Sequence, residues 1–140
     1  MLKKYDRYTP KNDCVIIEAT EDNFSLPRRE TQLTAGYDLF ATEDEVIRPL
    51  DRKVIGVGIK LKMPEDIIGE IRSRKEIAIK YGVFVLDAPS TISPDFKDEI
   101  KVLLLNTGHL PFDILRGDKI AQLIFSKHET PNLEQHDERI

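Results

Sequence analysis

From Ala35 onward, short apolar runs follow one another with Gly, Pro, Asn or Asp between them. The stretch Gly56 to Met63 alternates: Val57, Ile59, Leu61 and Met63 face one way, and Gly58, Lys60 and Lys62 the other, the period of a half-buried strand. Pro64-Glu65-Asp66 then breaks it. Cys14-Val15-Ile16-Ile17 predicts an early strand after a frayed start, with a polar connection through Pro27-Arg28-Arg29 behind it. Residues 67–71, 83–86, 100–105, 110–115 and 120–125 read as further strands. Many short strands at this spacing predict an all-β sandwich or barrel. One segment, Arg74 to Tyr81, lacks alternation and reads as a short helix stopped by Gly82. The chain is expected to form one β domain over residues 1–125 with a polar, charged tail over 126–140.

Composition narrows the function classes. The 140 residues make one domain's worth of chain, and 40% of them are hydrophobic, enough for one core. Basic residues number 21 against 25 acidic, a net charge of −4, which argues against general nucleic-acid or membrane binding. No apolar stretch approaches a membrane span, and Met1-Leu2-Lys3-Lys4 is not followed by a signal-peptide core. A cytoplasmic protein is expected. Cys14 is the sole cysteine, so no internal disulfide or Cys-based zinc cluster can form. His109, His128 and His136 lack the i, i+4 spacing of a helical metal pair, and no structural metal is expected.

Three constellations carry candidate chemistry. Ala35-Gly36-Tyr37-Asp38-Leu39 reads alone as turn chemistry at a strand start. In Gly69-Glu70-Ile71-Arg72-Ser73-Arg74-Lys75 a strand feeds a helix with two cations at its opening, where unpaired amides also point; an anion site and a solvated charged turn both fit. Arg116-Gly117-Asp118-Lys119-Ile120-Ala121-Gln122-Leu123-Ile124 opens with an Arg-Gly-Asp tripeptide, which the pattern places in a tight turn before a buried strand rather than in an adhesion loop. Gln122 is polar within an apolar run, and a buried amide needs partners that a ligand can supply.

In this order, the segments resemble the trimeric dUTPase family over about residues 26–125. The anchors are AGYDL at 35–39, the G-x-I-x-x-R run at 69–74, VLDAPSTISPDFKDEI at 85–100 and RGDKIAQLI at 116–124. The resemblance implies a jelly-roll (distorted β-barrel) subunit with one short helix, a homotrimer with active sites between subunits, and Mg²⁺-assisted cleavage of dUTP to dUMP and pyrophosphate. It implies nucleotide contacts from Arg74, Lys75, Asp87, Phe96 and Gln122, and a metal-linked role for Asp38.

Several matched positions depart from the family pattern. The resemblance places the general base at Ser93, whose hydroxyl has no useful basicity at neutral pH; losing a positioned base lowers a rate by ~10²–10⁴-fold. Asp95, two residues on, matches the family's second Asp, which is not the base, and is a substitute candidate only if the hairpin shifts. Phe96 replaces the Tyr that backs the deoxyribose. Asp87 replaces a uracil-reading Asn, and an ionised carboxylate suits a donor such as the cytosine amino group; an ordinary turn before Ala88-Pro89 also accounts for it. Lys75 and Glu76 replace Ser and Gly of the phosphate motif. Glu76 would repel a triphosphate unless Lys75 or Arg72 neutralises it, since unit charges ~4 Å apart interact by about 4 kcal/mol at a dielectric near 20. No Gly-rich arm follows Gly117, and the sequence ends His136-Asp137-Glu138-Arg139-Ile140. The strand Lys101 to Leu105 offers no Glu for dCTP deamination on the related fold. These departures predict a trimer that has lost dUTP hydrolysis and serves as a binding, regulatory or structural module, with a protein or deoxynucleotide partner and Mg²⁺ only where a triphosphate is bound. The alternative is a weak or altered dUTP or deoxynucleotide diphosphatase.

Overall fold

The computed structural model describes residues 14–137; the N-terminal residues expected to fray, and Glu138 to Ile140, lie outside them. Eleven strands and one helix are found among the described residues: β1 (Ile16–Ala19), β2 (Tyr37–Phe40), β3 (Glu45–Ile47), β4 (Arg52–Gly56), β5 (Ile59–Lys62), β6 (Ile67–Arg72), α1 (Lys75–Tyr81), β7 (Val83–Val85), β8 (Ser90–Ile92), β9 (Lys101–Asn106), β10 (Phe112–Ile114) and β11 (Lys119–Lys127). All pairings between strands are antiparallel. The all-β class with one short helix is as expected. The barrel is not: the strands form four separate sheets, β2-β11-β6-β8, β4-β9-β7, β1-β5 and β3-β10, and none closes on itself.

The alternating run holds in its burial but not in its continuity. Val57, Ile59, Leu61 and Met63 are all buried, yet Gly58 at φ +71° splits the run into the end of β4 and the whole of β5. A Cβ on Gly58 would lie 2.9 Å from Thr42 Cγ2, so this bend requires glycine on both counts. Residues 110–115 also shrink to a three-residue strand, because Pro111 interrupts pairing and Leu115 already belongs to the next turn. Leu110 and Leu115 are accordingly exposed. The tail boundary moves outward, since β11 pairs with β6 as far as Lys127↔Ile67.

The helix ends as the sequence implies. Gly82 adopts φ +70°, and its N–H donates to Ala78 O, a left-handed C-cap. Asn106, fully buried, joins β9 to two neighbouring segments: its Nδ2 donates to Ile47 O (2.8 Å) and Leu110 O (2.9 Å), and its Oδ1 accepts from Gly108 N–H (2.8 Å). The Arg-Gly-Asp tripeptide lies in the expected tight turn. Gly117 takes φ +89°, and the Asp118 carboxylate accepts the N–H of Leu115 (2.8 Å). That carboxylate is engaged within its own turn.

Candidate functional site

β11 lies between β2 and β6, and this order assembles the polar centre. Gln122 is opposite Asp38 on one side and Arg72 on the other, so three motifs far apart in sequence share one row of the sheet, with strands ~4.8 Å apart. The pairing of β11 with β2 is irregular between Lys119 and Ala121, the kind of bulge that re-aims a side chain. Gly36 leaves room for Gln122: a Cβ there would lie 2.8 Å from its Oε1.

Asp38 is 6% exposed. Arg74 Nε stands 3.8 Å from its Oδ1 and Lys119 Nζ 3.5 Å from its Oδ2. A buried carboxylate is retained where cations accompany it, and here two do. Arg74 immediately precedes α1 as its N-cap and makes no side-chain cap bond. Its Nη1 reaches Lys119 O at 3.5 Å, while its buried Nε makes no hydrogen bond. Glu76 pairs with Arg74 (Nη2 to Oε2, 3.5 Å), so the neutralising cation is neither Lys75 nor Arg72. Arg72 is instead held by Glu70 at 2.7 Å. Lys75 is exposed and makes no ion pair among the described residues.

The remaining predicted positions lie elsewhere. Ser93, Asp95 and Phe96 share a turn closed by Phe96 N–H donating to Ser93 O (3.0 Å). All three are exposed, as is Asp87. That turn leaves β8 beyond Ile92, which pairs with Gly69. Gly69 to Arg72 is three residues, or about 10 Å of strand, and Arg74 lies two residues further. The hairpin turn and the Asp38–Arg74–Lys119 cluster therefore occupy opposite ends of β6, and no hydrogen bond or ion pair joins them among the described residues. Lys119 is the member that sequence reasoning passed over. It lies within the Arg116–Ile124 motif, but its contact with Asp38 depends on the β2–β11 register, which no local pattern reveals. Among the described residues no three His, Cys, Asp or Glu side chains converge as a metal site, and no helix is long and apolar enough to cross a membrane.

The subunit is thus an antiparallel β scaffold with a buried carboxylate flanked by two cations at a strand–helix junction. The dUTPase family model matches residues 22–140, and the chain belongs to the dUTPase family. It is 35% identical over 121 residues to the deoxyuridine 5'-triphosphate nucleotidohydrolase of Clostridium novyi (strain NT), covering 86% of this chain and 85% of that protein. The enzyme of the same name from Cytophaga hutchinsonii is 40% identical over 111 residues, 78% of this chain and 72% of that one. The fold is shared with the dUTPase of Staphylococcus aureus phage phi11 at TM-score 0.83 and 22% identity, over 91% of this chain and 99% of that chain. That phage protein is described as coordinating a structural Mg(II) ion.

These relatives overturn the expectation of a trimer without hydrolytic activity. Proteins named as dUTP nucleotidohydrolases match most of this chain at 35% and 40% identity, which supports hydrolysis instead. The expectation rested jointly on Ser93, on Lys75 and Glu76, on Asp87 and on the lack of a Gly-rich segment after Gly117. Yet a carboxylate, Asp95, stands in the same exposed turn as Ser93, and Glu76 is already paired with a cation.

Proposed function

We propose that this chain hydrolyses dUTP to dUMP and pyrophosphate, as a homotrimer and with Mg²⁺ brought by the triphosphate. The identity to named nucleotidohydrolases over most of both chains carries the reading. The buried Asp38 with its two cations supports it. In this reading Arg74 and Lys75 bind phosphate oxygens, Gln122 donates its amide N–H to the phosphate chain, Phe96 packs against the deoxyribose, and Asp87 meets the edge of the base. Asp38 fixes Arg74 and would hold a water of a triphosphate-bound Mg²⁺.

The donor set fits a nucleotide-borne Mg²⁺. This ion keeps several waters and binds through substrate phosphates plus one or two carboxylates rather than in an all-protein cage, and the described residues offer no such cage. When bound, Mg²⁺ neutralises charge on the triphosphate. Asp95 is the proposed general base: its carboxylate takes a proton from water while the water oxygen bonds to phosphorus, and the P–O bond to the departing pyrophosphate breaks. Ser93 can hydrogen-bond that water but cannot deprotonate it. Because the turn carrying Asp95 and the Arg74 cluster lie at opposite ends of β6, one subunit supplies the phosphate cluster and its neighbour supplies the hairpin. The cytoplasm, where free deoxynucleotides are handled, is the proposed location.

The test is pyrophosphate release from dUTP with Mg²⁺, with dCTP, dTTP and UTP run in parallel. Turnover on dUTP is expected, with dCTP the informative competitor because of Asp87. Asp95→Asn should lower the rate ~10²–10⁴-fold while Ser93→Ala changes it less than about twofold. Silence with all four nucleotides from a folded trimer would end this reading.

A further inference from the structure

A cleft of about 560 Å³ opens between α1 and the β10–β11 turn. This lies within the range of small-molecule sites, about 300–1,000 Å³. Its lining is divided by chemistry. Tyr81 and Phe112 form an aromatic floor, with ring centroids 5.2 Å apart and planes tilted by 55°. Arg74 and Lys119 stand on the lining as cations, and Asp113 and Asp118 as carboxylates. Asp38, Lys75, Glu76 and Gln122 do not line it, nor do Asp87 and the Ser93–Phe96 turn.

Two features suit this cleft to a ligand rather than to solvent alone. Among the described residues the guanidinium of Arg74 is held only by long contacts, Nε to Asp38 at 3.8 Å, Nη1 to Lys119 O at 3.5 Å and Nη2 to the exposed Glu76 at 3.5 Å, and a phosphate oxygen can replace the last two. Tyr81 remains 44% exposed although it is packed on Phe112, and Lys80 Nζ stands 5.2 Å from its ring centroid, a mobile cation that a stacking base can displace.

We infer that this cleft is a second nucleotide site, taking a nucleoside monophosphate. The inference rests on the proposed dUTP hydrolysis only in that Arg74 and Lys119 serve both places. The phosphate monoester meets the two cations, the base lies on Tyr81 and Phe112, and base N–H groups face Asp113, an exposed carboxylate whose strand pairs with β3. A simple anion would gain nothing from the rings and would face two carboxylates. A neutral aromatic molecule would leave the cations unused. Occupancy draws Arg74 away from the substrate phosphates, so a bound monophosphate acts as an inhibitor of dUTP turnover.

The probe is dAMP, which carries no uracil, titrated into the ¹⁵N-labelled full chain. Amide shifts are expected at Ile77, Tyr81, Phe112 and Lys119. Removing one stacking face with Tyr81→Ala should weaken dAMP about tenfold, and inorganic phosphate and deoxyadenosine should each bind at least about tenfold more weakly than dAMP. Turnover of dUTP by Tyr81→Ala without dAMP should match the unaltered chain, while its inhibition by dAMP weakens. Unchanged dAMP affinity in Tyr81→Ala, shifts confined to other surfaces, or phosphate binding as tightly as dAMP would each overturn the inference. A fall in kcat/KM for dUTP in Tyr81→Ala would also overturn it, by making the cleft part of the substrate's own pocket. Loss of dUTP hydrolysis in the unaltered chain leaves the dAMP titration readable, so the two readings fail separately.

Discussion

Replacing Asp38 by Asn keeps the shape of the side chain and removes its charge, leaving Arg74 and Lys119 facing a neutral amide. At 3.8 and 3.5 Å each pair interacts by about 4–5 kcal/mol at an effective dielectric near 20. Two effects reduce that gross figure. Lys119 is 34% exposed, so water screens its share, and the buried carboxylate no longer has to be desolvated. Breaking a buried pair from one side leaves a loss of about 3 kcal/mol, which for a chain of this size lowers Tm by about 10 °C. Thermal unfolding should be followed at fixed protein concentration, because assembly couples to stability. The decisive arm is the double variant Asp38→Asn/Lys119→Met. Removing the surplus cation should make the double variant more stable than the sum of the single losses by at least about 1 kcal/mol. Unfolding of Asp38→Asn at the unaltered Tm, or strict additivity in the double variant, would refute a charge cluster centred on Asp38.

Glu76→Gln removes a carboxylate beside the cations proposed to bind phosphate; because Glu76 is 70% exposed, the gain is modest, and KM for dUTP should fall about two- to fivefold, with an unchanged KM counting against the repulsion. Leu104→Ala opens a void at a fully buried position of β9 and should lower stability by about 2–5 kcal/mol in urea unfolding. Gly82→Ala forces a side chain into φ +70° with Gly108 N only 3.0 Å from its Cβ, so a loss of about 1–2 kcal/mol is expected; a loss below about 0.5 kcal/mol would mean that the cap relaxes.

The parts of this fold that were legible in the sequence are those where one local rule acts alone. Gly82 marked the end of α1 because a left-handed cap favours glycine, and the buried set from Val57 to Met63 followed from period two. The strands β3, β4 and β8 were missed. Val46 and Val54 are exposed and β8 reads Ser-Thr-Ile, so their membership rests on pairing partners rather than on an apolar face. The same distinction runs through the site. Gln122 stood out as a polar residue in an apolar run, and Asp38 and Arg74 lay in recognisable motifs. By contrast, the Glu70–Arg72 and Glu76–Arg74 pairs are choices between neighbouring charges of equal merit in one dimension. Asn106 was not singled out either, since its three partners are fixed only once β3, β9 and the loop after β9 have come together.

In the proposed trimer, the placement of the Asp95 turn and the Arg74 cluster at opposite ends of β6 would make each subunit half an enzyme twice over, a donor of one half-site to one neighbour and a recipient of the other half from the next. Damage to one half therefore does not follow the chain that carries it. A population of Asp95→Asn chains and a population of Arg74→Ala chains, each inert alone, would restore about one site in four when unfolded together and reassembled at equal ratio, since a closed ring pairs its halves at random. Genetic dominance would follow the same geometry, because a single defective copy lowers the output of subunits that are themselves intact.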